Sequence, residues 1–249
     1  MKTAIENVLC STSLTSTQME KLLENPMCEF RRQACLCIFL FLLVASSFRA
    51  VNAASQQATY KMDLSIEWSQ NLAPFEFPDG AHMSSLIGLT HQDRYRLFED
   101  GATASSGLEL VAENGRFGIL RAQFEELGRK QRVGTVVMAD GIKKVPGKIS
   151  TTFTSTTDHP LLSVITMLAP SPDWFTGVSG VSLFSDGEWV DEINLPLWVW
   201  DAGTDSGVTF KSDNEDTQPR ESIRLLSTEH FLNNQGLMRF GSISITRQH

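Results

Sequence analysis

Alternation of apolar and polar side chains is the main pattern along this chain after residue 58, and it predicts strands. Residues 62–68 alternate strictly, as in a strand with one buried face. Residues 162–169 form a continuous apolar run, which predicts a central strand. Further strands are predicted over residues 180–184, 188–190, 193–200 and 238–246, with a hairpin turn at Asp186-Gly187 and with Phe240, Ile243 and Ile245 facing inward.

One helix interrupts the strands. Apolar residues recur at helical spacing at Phe117, Leu120, Phe124 and Leu127, and Gly128 is expected to end the helix. Pro196 places part of the strand at 193–200 on a sheet edge or at a bulge, because proline has no N–H to donate. Short strands with only one or two short helices predict a mainly β fold, an antiparallel β-sandwich, in a single domain.

The first 53 residues are predicted to be a signal peptide that is removed. Arg31 and Arg32 precede an apolar run at residues 34–48, and small residues follow up to Ala53. This run is shorter than the roughly 20 residues of a membrane-spanning helix, which argues against the alternative of an uncleaved anchor. Translation from Met27 would give the signal ordinary proportions. The remaining domain, residues 54–249, is therefore expected to be secreted.

Cysteine content and charge exclude some classes of site and partner. The four cysteines, Cys10, Cys28, Cys35 and Cys37, lie within the predicted signal peptide, so residues 54–249 can form neither a disulfide nor a thiolate zinc site. The chain has 29 Asp and Glu against 21 Lys and Arg, a net charge of −8. An acidic domain of this kind is a poor partner for phosphate backbones, so we expect no nucleic-acid binding.

Two acidic segments carry the main candidate chemistry. LAPSPDWFTGVSG, residues 168–180, and WDAGTDSG, residues 200–207, place Asp173, Asp201 and Asp205 directly after apolar runs. Calcium is bound by six to eight oxygens, many of them from loop carboxylates and carbonyls. Asp, Gly and Ser are also good turn formers, so composition alone leaves open whether these segments bind a metal or simply form turns.

An ordered series of motifs resembles the spondin domain, the amino-terminal module of F-spondin and the mindins. The likeness covers residues 59–246 and includes IEWSQNLAPFEFP at 66–78, MSSLIGLTH at 83–91, ASSGLELVAENG at 104–115 and PRESI at 219–223. The resemblance implies a sandwich similar to a C2 domain, whose loops converge at one end. It also implies a calcium site with Asp173 and Asp201 as its carboxylates and Asp205 as a third ligand, for which an Asx-turn is the alternative role.

The resemblance further implies a recognition or adhesion module for an extracellular or cell-surface protein, glycan or lipid. In the mindins, integrin recognition is attributed to an acidic residue in the strand or loop that precedes SPDW. The corresponding segment here, residues 148–160, has Thr154 near that position and no Glu, which argues against an integrin partner. Asp158 could substitute only if it projected from the same surface, and it is otherwise a turn residue.

Catalysis is the weaker interpretation, and we predict no catalytic residue. The segment GVSG at residues 177–180 lacks the final glycine of a nucleophile elbow, because residue 181 is valine. The five histidines show no metal-binding spacing, and His91 is expected to be buried and hydrogen-bonded. Two alternatives to a calcium-binding recognition module stay open: a C2-like calcium-dependent lipid binder, and a secreted hydrolase.

Overall fold

The computed structural model describes residues 55–249, so the predicted signal peptide at residues 1–53 lies outside the described residues. In chain order the elements are β1 (Gln57–Ile66), β2 (His82–Met83), β3 (Leu86–His91), α1 (Ser106–Asn114), α2 (Gly118–Arg129), β4 (Val133–Ala139), β5 (Gly147–Thr156), β6 (Leu161–Ala169), β7 (Trp174–Ser182), β8 (Phe184–Ser185), β9 (Glu188–Trp189), β10 (Glu192–Leu197), β11 (Val199–Asp201), β12 (Arg224–Leu225), β13 (Leu232–Asn233), β14 (Gly236–Leu237) and β15 (Gly241–Gln248).

The strands form two main antiparallel sheets, as the predicted sandwich requires. The first sheet has four strands in the order β10-β15-β1-β5, and Leu64 of β1 lies between Ile243 of β15 and Ile149 of β5. The second sheet has seven strands in the order β12-β11-β7-β6-β3-β4, with β2 paired to β6. Two further strand pairs, β8-β9 and β13-β14, lie outside these sheets.

Different burial of the two sheets explains their different sequence patterns. One core lies between the sheets and includes Tyr60, Met62 and Leu64, whose polar neighbours on β1 face outward. A second core lies between the seven-stranded sheet and the two helices, and it includes Ile165 and Phe124. Because β6 is covered on both faces, its apolar residues need not alternate, and it is the central strand that its sequence predicts.

Two predicted elements needed correction. Residues 193–200 do not form one strand: β10 belongs to the four-stranded sheet and β11 to the seven-stranded sheet, and the chain crosses between them at Trp198. Gly128 does not end the helix, because α2 continues to Arg129. β10 is an edge strand, so Pro196 lies where its missing N–H leaves no gap in a ladder. The hairpin at Asp186-Gly187 and the burial of Phe240, Ile243 and Ile245 are confirmed.

The hydrophobic pattern did not predict helix α1, although capping residues mark both of its ends. The Ser105 hydroxyl oxygen accepts the N–H of Leu108 at 3.2 Å, which caps the start of the helix. Gly115 ends it in the left-handed region, with φ of 65°, where glycine is favoured. Within residues 55–249, no helix has the length and apolar character needed to cross a membrane.

Candidate metal site at the ends of β7 and β11

The pairing of β7 with β11 brings the two acidic segments together. Asp173 directly precedes β7, Asp201 is the last residue of β11, and Trp174 lies opposite Asp201 in the antiparallel register. Asp205 follows in the next loop and forms an isolated bridge with Asp216. Residues separated by almost 30 positions in sequence therefore share one end of the seven-stranded sheet.

Asp173 is fully buried, and its two carboxylate oxygens have different surroundings. Oδ2 accepts the backbone N–H of Thr204 at 2.7 Å and that of Asp205 at 3.2 Å, and it accepts the Thr204 hydroxyl at 3.3 Å. Oδ1 is also buried but has no hydrogen-bond partner among the described residues. Burial, followed by repulsion from Asp201, raises the pKa of Asp173 to about 6 in spite of these hydrogen bonds.

Asp201 is almost fully buried beside it, and both of its oxygens have donors. Oδ1 accepts the N–H of Gly203 at 2.8 Å in an Asx-turn, and Oδ2 lies 3.3 Å from Arg224 Nη2. Burial raises the pKa of the Asp201 carboxyl, while the charge of Arg224 acts in the opposite direction. Arg224 also bonds Glu221 at 2.7 Å, so the guanidinium is shared between two carboxylates.

Asp205 has the turn role that the sequence left as its alternative. Its Oδ1 accepts the N–H of Gly207 at 2.7 Å, and its Oδ2 accepts the N–H of Glu215 at 3.3 Å. These bonds hold the loop after β11 against the acidic loop at residues 213–216. Direct coordination of a metal by Asp205 stays a prediction.

A cavity of about 260 Å³ lies beside Asp201 and Asp205, and its other lining residues include Glu221, Arg224, Thr217 and Trp174. Over residues 55–249, no group of three His, Cys, Asp or Glu side chains lies close enough to hold a metal ion. A cation here would therefore depend on two carboxylates together with backbone and hydroxyl oxygens. Asp173 fits that role, since its Oδ1 is a buried acceptor that lacks a donor.

Two charged residues near the site were missed by sequence reasoning. Arg224 has no motif of its own, and only the strand pairing of β11 with β12 brings it to Asp201. Glu113 lies on α1, within the AENG motif. Burial and the nearby carboxylates of Glu109, Asp205 and Asp216 raise its pKa, and the neighbouring Thr204 hydroxyl acts in the opposite direction. Neither residue could be found from periodicity or spacing.

Aromatic residues around the loops pack in the core. Trp174 and Phe175 are buried, and the Trp174 ring lies 5.0 Å from that of Phe210 and 5.1 Å from that of His230. Trp200 is half-buried, 5.3 Å from the Phe98 ring. Trp200 therefore retains some surface that a ligand could contact.

The expectation for His91 is confirmed: it is fully buried, and both ring nitrogens are bonded. Nδ1 lies 2.7 Å from the Gln92 carbonyl oxygen and Nε2 lies 2.7 Å from Ser163 Oγ. Because a carbonyl can only accept, Nδ1 donates, and Nε2 accepts the Ser163 hydroxyl. The backbone N–H of Gly180 donates to Ser163 Oγ at 2.8 Å. Burial lowers the pKa of His91, which keeps the ring neutral.

The remaining candidate residues lie elsewhere. Thr154 is on β5 in the four-stranded sheet, opposite Thr59 of β1. Asp158 is exposed in the turn between β5 and β6. Neither belongs to the loops around Asp173.

Comparisons with known proteins agree with the fold and the motifs. The family model described as Spondin_N matches residues 58–236. Spondin-2 of Rattus norvegicus is 32% identical over 198 residues, which are 76% of this chain and 60% of that protein. Spondin-1 of Gallus gallus is 38% identical over 187 residues, which are 70% of this chain and 22% of that protein. The chain thus spans less than two thirds of the length of these relatives.

Proposed function

The chain belongs to the Spondin_N family, whose spondin-1 and spondin-2 members are secreted extracellular proteins, and on that premise we propose that it is a calcium-binding recognition module. Its ligand would be a protein, glycan or lipid in the matrix or at a cell surface. The acidic loops at the ends of β7 and β11 would hold the cation.

The unpartnered Oδ1 of Asp173 is the observation that carries this proposal. Burying a carboxylate is unfavourable unless its charge is compensated, and a second carboxylate, Asp201, adds repulsion. Arg224 contacts Asp201 and forms no ion pair with Asp173. A hard cation would supply the missing positive charge, and oxygen ligands of this type are those that calcium prefers.

In this proposal, Asp173 and Asp201 hold the cation, and backbone carbonyls of the same loops complete its shell. The cation would neutralise both carboxylates and tie the segment before β7 to the loop after β11. Thr204 and Gly203 hold the two carboxylates in place through the hydrogen bonds described above. The loops would then present a fixed surface to an extracellular partner.

Titration calorimetry with calcium tests the site. We expect binding by the wild-type protein and its loss in Asp173→Asn and Asp201→Asn, which keep the side-chain shape but remove the charge. Asp213→Asn is the matched control, because Asp213 is an exposed carboxylate in the neighbouring acidic loop. Absence of calcium binding by the wild-type protein, or equal binding by all four proteins, would overturn the calcium site.

We propose a binding role rather than a catalytic one. The one Ser-His pair with short geometry among the described residues is Ser163 with His91, and both side chains are fully buried. A nucleophile must reach its substrate, so this arrangement supports a structural role. Labelling of the purified protein by a serine-reactive probe would contradict it.

Calcium-dependent lipid binding is the second candidate, because apolar residues are exposed near the same loops. Val208 is 73% exposed and lines the cavity beside Asp201, and Phe75 packs edge-on against His230. Pelleting with phosphatidylserine vesicles would separate the two functions. Calcium-dependent pelleting that Val208→Ser weakens would support lipid binding, and no pelleting would leave a protein or glycan as the ligand.

A further inference from the structure

Two thirds of strand β7, six of its nine residues, has a strand partner on one side only. β6 pairs with β7 along most of its length, but β11 pairs only with its first three residues, Trp174 to Thr176. From Gly177 to Ser182, no strand of the described chain pairs with β7 on the side away from β6. An antiparallel strand directs alternate N–H and C=O groups to each side, so this six-residue segment presents unpaired backbone groups.

The free edge results from the crossing between the sheets. After β10 the chain leaves the four-stranded sheet at Trp198, whose carbonyl oxygen accepts the Thr176 hydroxyl at 2.7 Å. Only β11, three residues long, then continues beside β7. The two sheets separate at this point and leave a cleft of about 460 Å³ between β7 and β10.

The two edges that border the cleft differ in their protection. Pro196 interrupts the β10 edge, and proline or charged residues are the usual means of preventing unwanted strand pairing. The β7 edge reads GVSGVS and contains neither; its one irregularity is a bulge at Ser179 and Gly180, which both lie opposite Ser163 of β6, with Gly180 at φ of 74°. Backbone groups on both sides of this bulge therefore remain without a strand partner along one side of an open cleft.

The cleft walls suit the side chains of an added strand. Trp198 and Trp200 are half-buried, and the other apolar residues that line the cleft are Phe98, Val178, Val181, Leu195 and Pro196. When a peptide adds to a sheet edge, its backbone bonds give affinity and the pockets for alternate side chains give specificity. A volume of this size is typical of ligand sites.

The charges at the rim indicate what kind of peptide fits. Glu99 and Asp100 border the cleft, are exposed, and form no ion pair within residues 55–249. Arg96 also borders it, but its guanidinium already donates to the carbonyl oxygens of Asp93 and Tyr95. These hydrogen bonds leave the positive charge of Arg96 in place, so the rim has two carboxylates against one guanidinium, and the excess negative charge complements a Lys or Arg side chain.

We propose that this cleft docks an extended, basic segment of a partner protein, which adds as a strand to β7 at Gly177–Ser182. The proposal rests on the recognition function above, for which it names a class of partner. It does not rest on calcium. Ser179 follows Asp173 by six residues, about 20 Å along a strand, so the two sites are separate.

Selection of peptides from a random library on the purified protein, with EGTA present, is the first test. We expect enrichment of sequences that alternate apolar residues with Lys or Arg. Enrichment of no peptide, or of peptides without this alternation, would overturn the proposal. Binding of oligosaccharides in a parallel screen, without any peptide, would also overturn it and assign the cleft to a glycan.

N-methylation of the best selected peptide tests strand addition itself. In an added strand only alternate N–H groups face β7, so methylating one set of alternate residues should abolish binding while methylating the other set is tolerated. Tolerance of both sets would overturn the strand geometry. A peptide held only by its charges would bind in either form.

Charge reversal locates the peptide on the protein. The double variant Glu99→Lys and Asp100→Lys should weaken the selected basic peptide by about tenfold or more. The matched control is Asp140→Lys with Glu188→Lys, which changes the net charge equally at exposed positions away from the cleft. Equal weakening by both double variants would overturn the site. Loss of calcium binding in Asp173→Asn should leave peptide affinity unchanged, so the two proposals fail separately.

Discussion

Two of the buried polar groups in and beside the seven-stranded sheet differ in their hydrogen bonding. At the first, between β3 and β6, His91 and Ser163 are fully buried and each nitrogen of the ring has a partner. At the second, at the end of β7, Asp173 is equally buried but its Oδ1 has none among the described residues, and Asp201 lies beside it. The His91 group and Asp173 are therefore equally buried, and they differ in whether every polar atom has a hydrogen-bond partner.

This difference separates a structural role from a binding role. A neutral, fully bonded group such as His91 stabilises the fold and holds neighbouring strands in register. A buried carboxylate without full compensation destabilises the fold, unless a ligand supplies what is missing. The second group is accordingly the one for which we propose a cation, and the following predictions test whether the contrast is real.

Substitution at the bonded group should have the largest effect. His91→Ala leaves Ser163 Oγ without its acceptor and creates a cavity, so we expect the free energy of unfolding to fall by about 4 kcal/mol. Denaturant unfolding measures this. His82→Ala is the control, because His82 is exposed on β2 and should cost little. A loss as small as that of the control would mean that the His91 network does not stabilise the sheet.

The two groups should also give opposite dependences of stability on pH. The pKa of Asp173 is raised to about 6, so its contribution is favourable below pH 4 and is lost as pH rises from 4 to 6, by about 3 kcal/mol. The pKa of His91 is lowered, so its contribution is present above the unfolded value near 6.5 and is lost as pH falls below it.

Unfolding measured from pH 4 to 8 with EGTA present, for the wild-type protein and two variants, tests these slopes. Subtracting Asp173→Asn should isolate a contribution that falls with pH, and subtracting His91→Gln should isolate one that rises. If both contributions to the free energy of unfolding changed with pH in the same direction, the two groups would not differ in the way proposed.

Removal of the uncompensated charge should stabilise the calcium-free protein. At pH 7.5 Asp173 is ionised, so we expect Asp173→Asn to raise the free energy of unfolding by about 2 kcal/mol in EGTA. With calcium at 100 times its dissociation constant, the wild-type protein should gain about 2.7 kcal/mol and the variant nothing. A variant that is less stable than the wild-type protein in EGTA would show that the Asp173 charge is compensated without a metal.

How much of this could be predicted depended on how local each feature is. Alternation in residues 62–68 and the continuous run at 162–169 predicted strands correctly, because the burial of each strand is recorded in its own residues. The crossing at Trp198 was not predicted, since residues 193–200 are apolar apart from Asn194, while the change of sheet depends on partners elsewhere in the chain.

The candidate site shows the same limit. The acidic segments together with the family resemblance pointed to Asp173 and Asp201, and the strand pairing brings these two residues together. Arg224 was missed because only its pairing on β12 places it there. No sequence pattern distinguishes the bonded Oδ2 of Asp173 from its unbonded Oδ1, because that difference arises from the fold of the loop at Thr204.

The smallest effect is expected at Asp205, which is a buried carboxylate like Asp173 but is fully hydrogen-bonded like His91. Its carboxylate is near the proposed cation, yet both oxygens accept backbone N–H groups, from Gly207 and Glu215. Asp205→Asn keeps one acceptor and loses the other, so we expect a loss of about 1 kcal/mol in unfolding free energy. Calorimetry should show a smaller loss of calcium affinity than Asp173→Asn causes, because the loop is loosened while the two main carboxylates stay. An equal loss of affinity would instead make Asp205 a direct ligand, and hydrogen bonding of a carboxylate would then no longer separate structural from binding residues in this sheet.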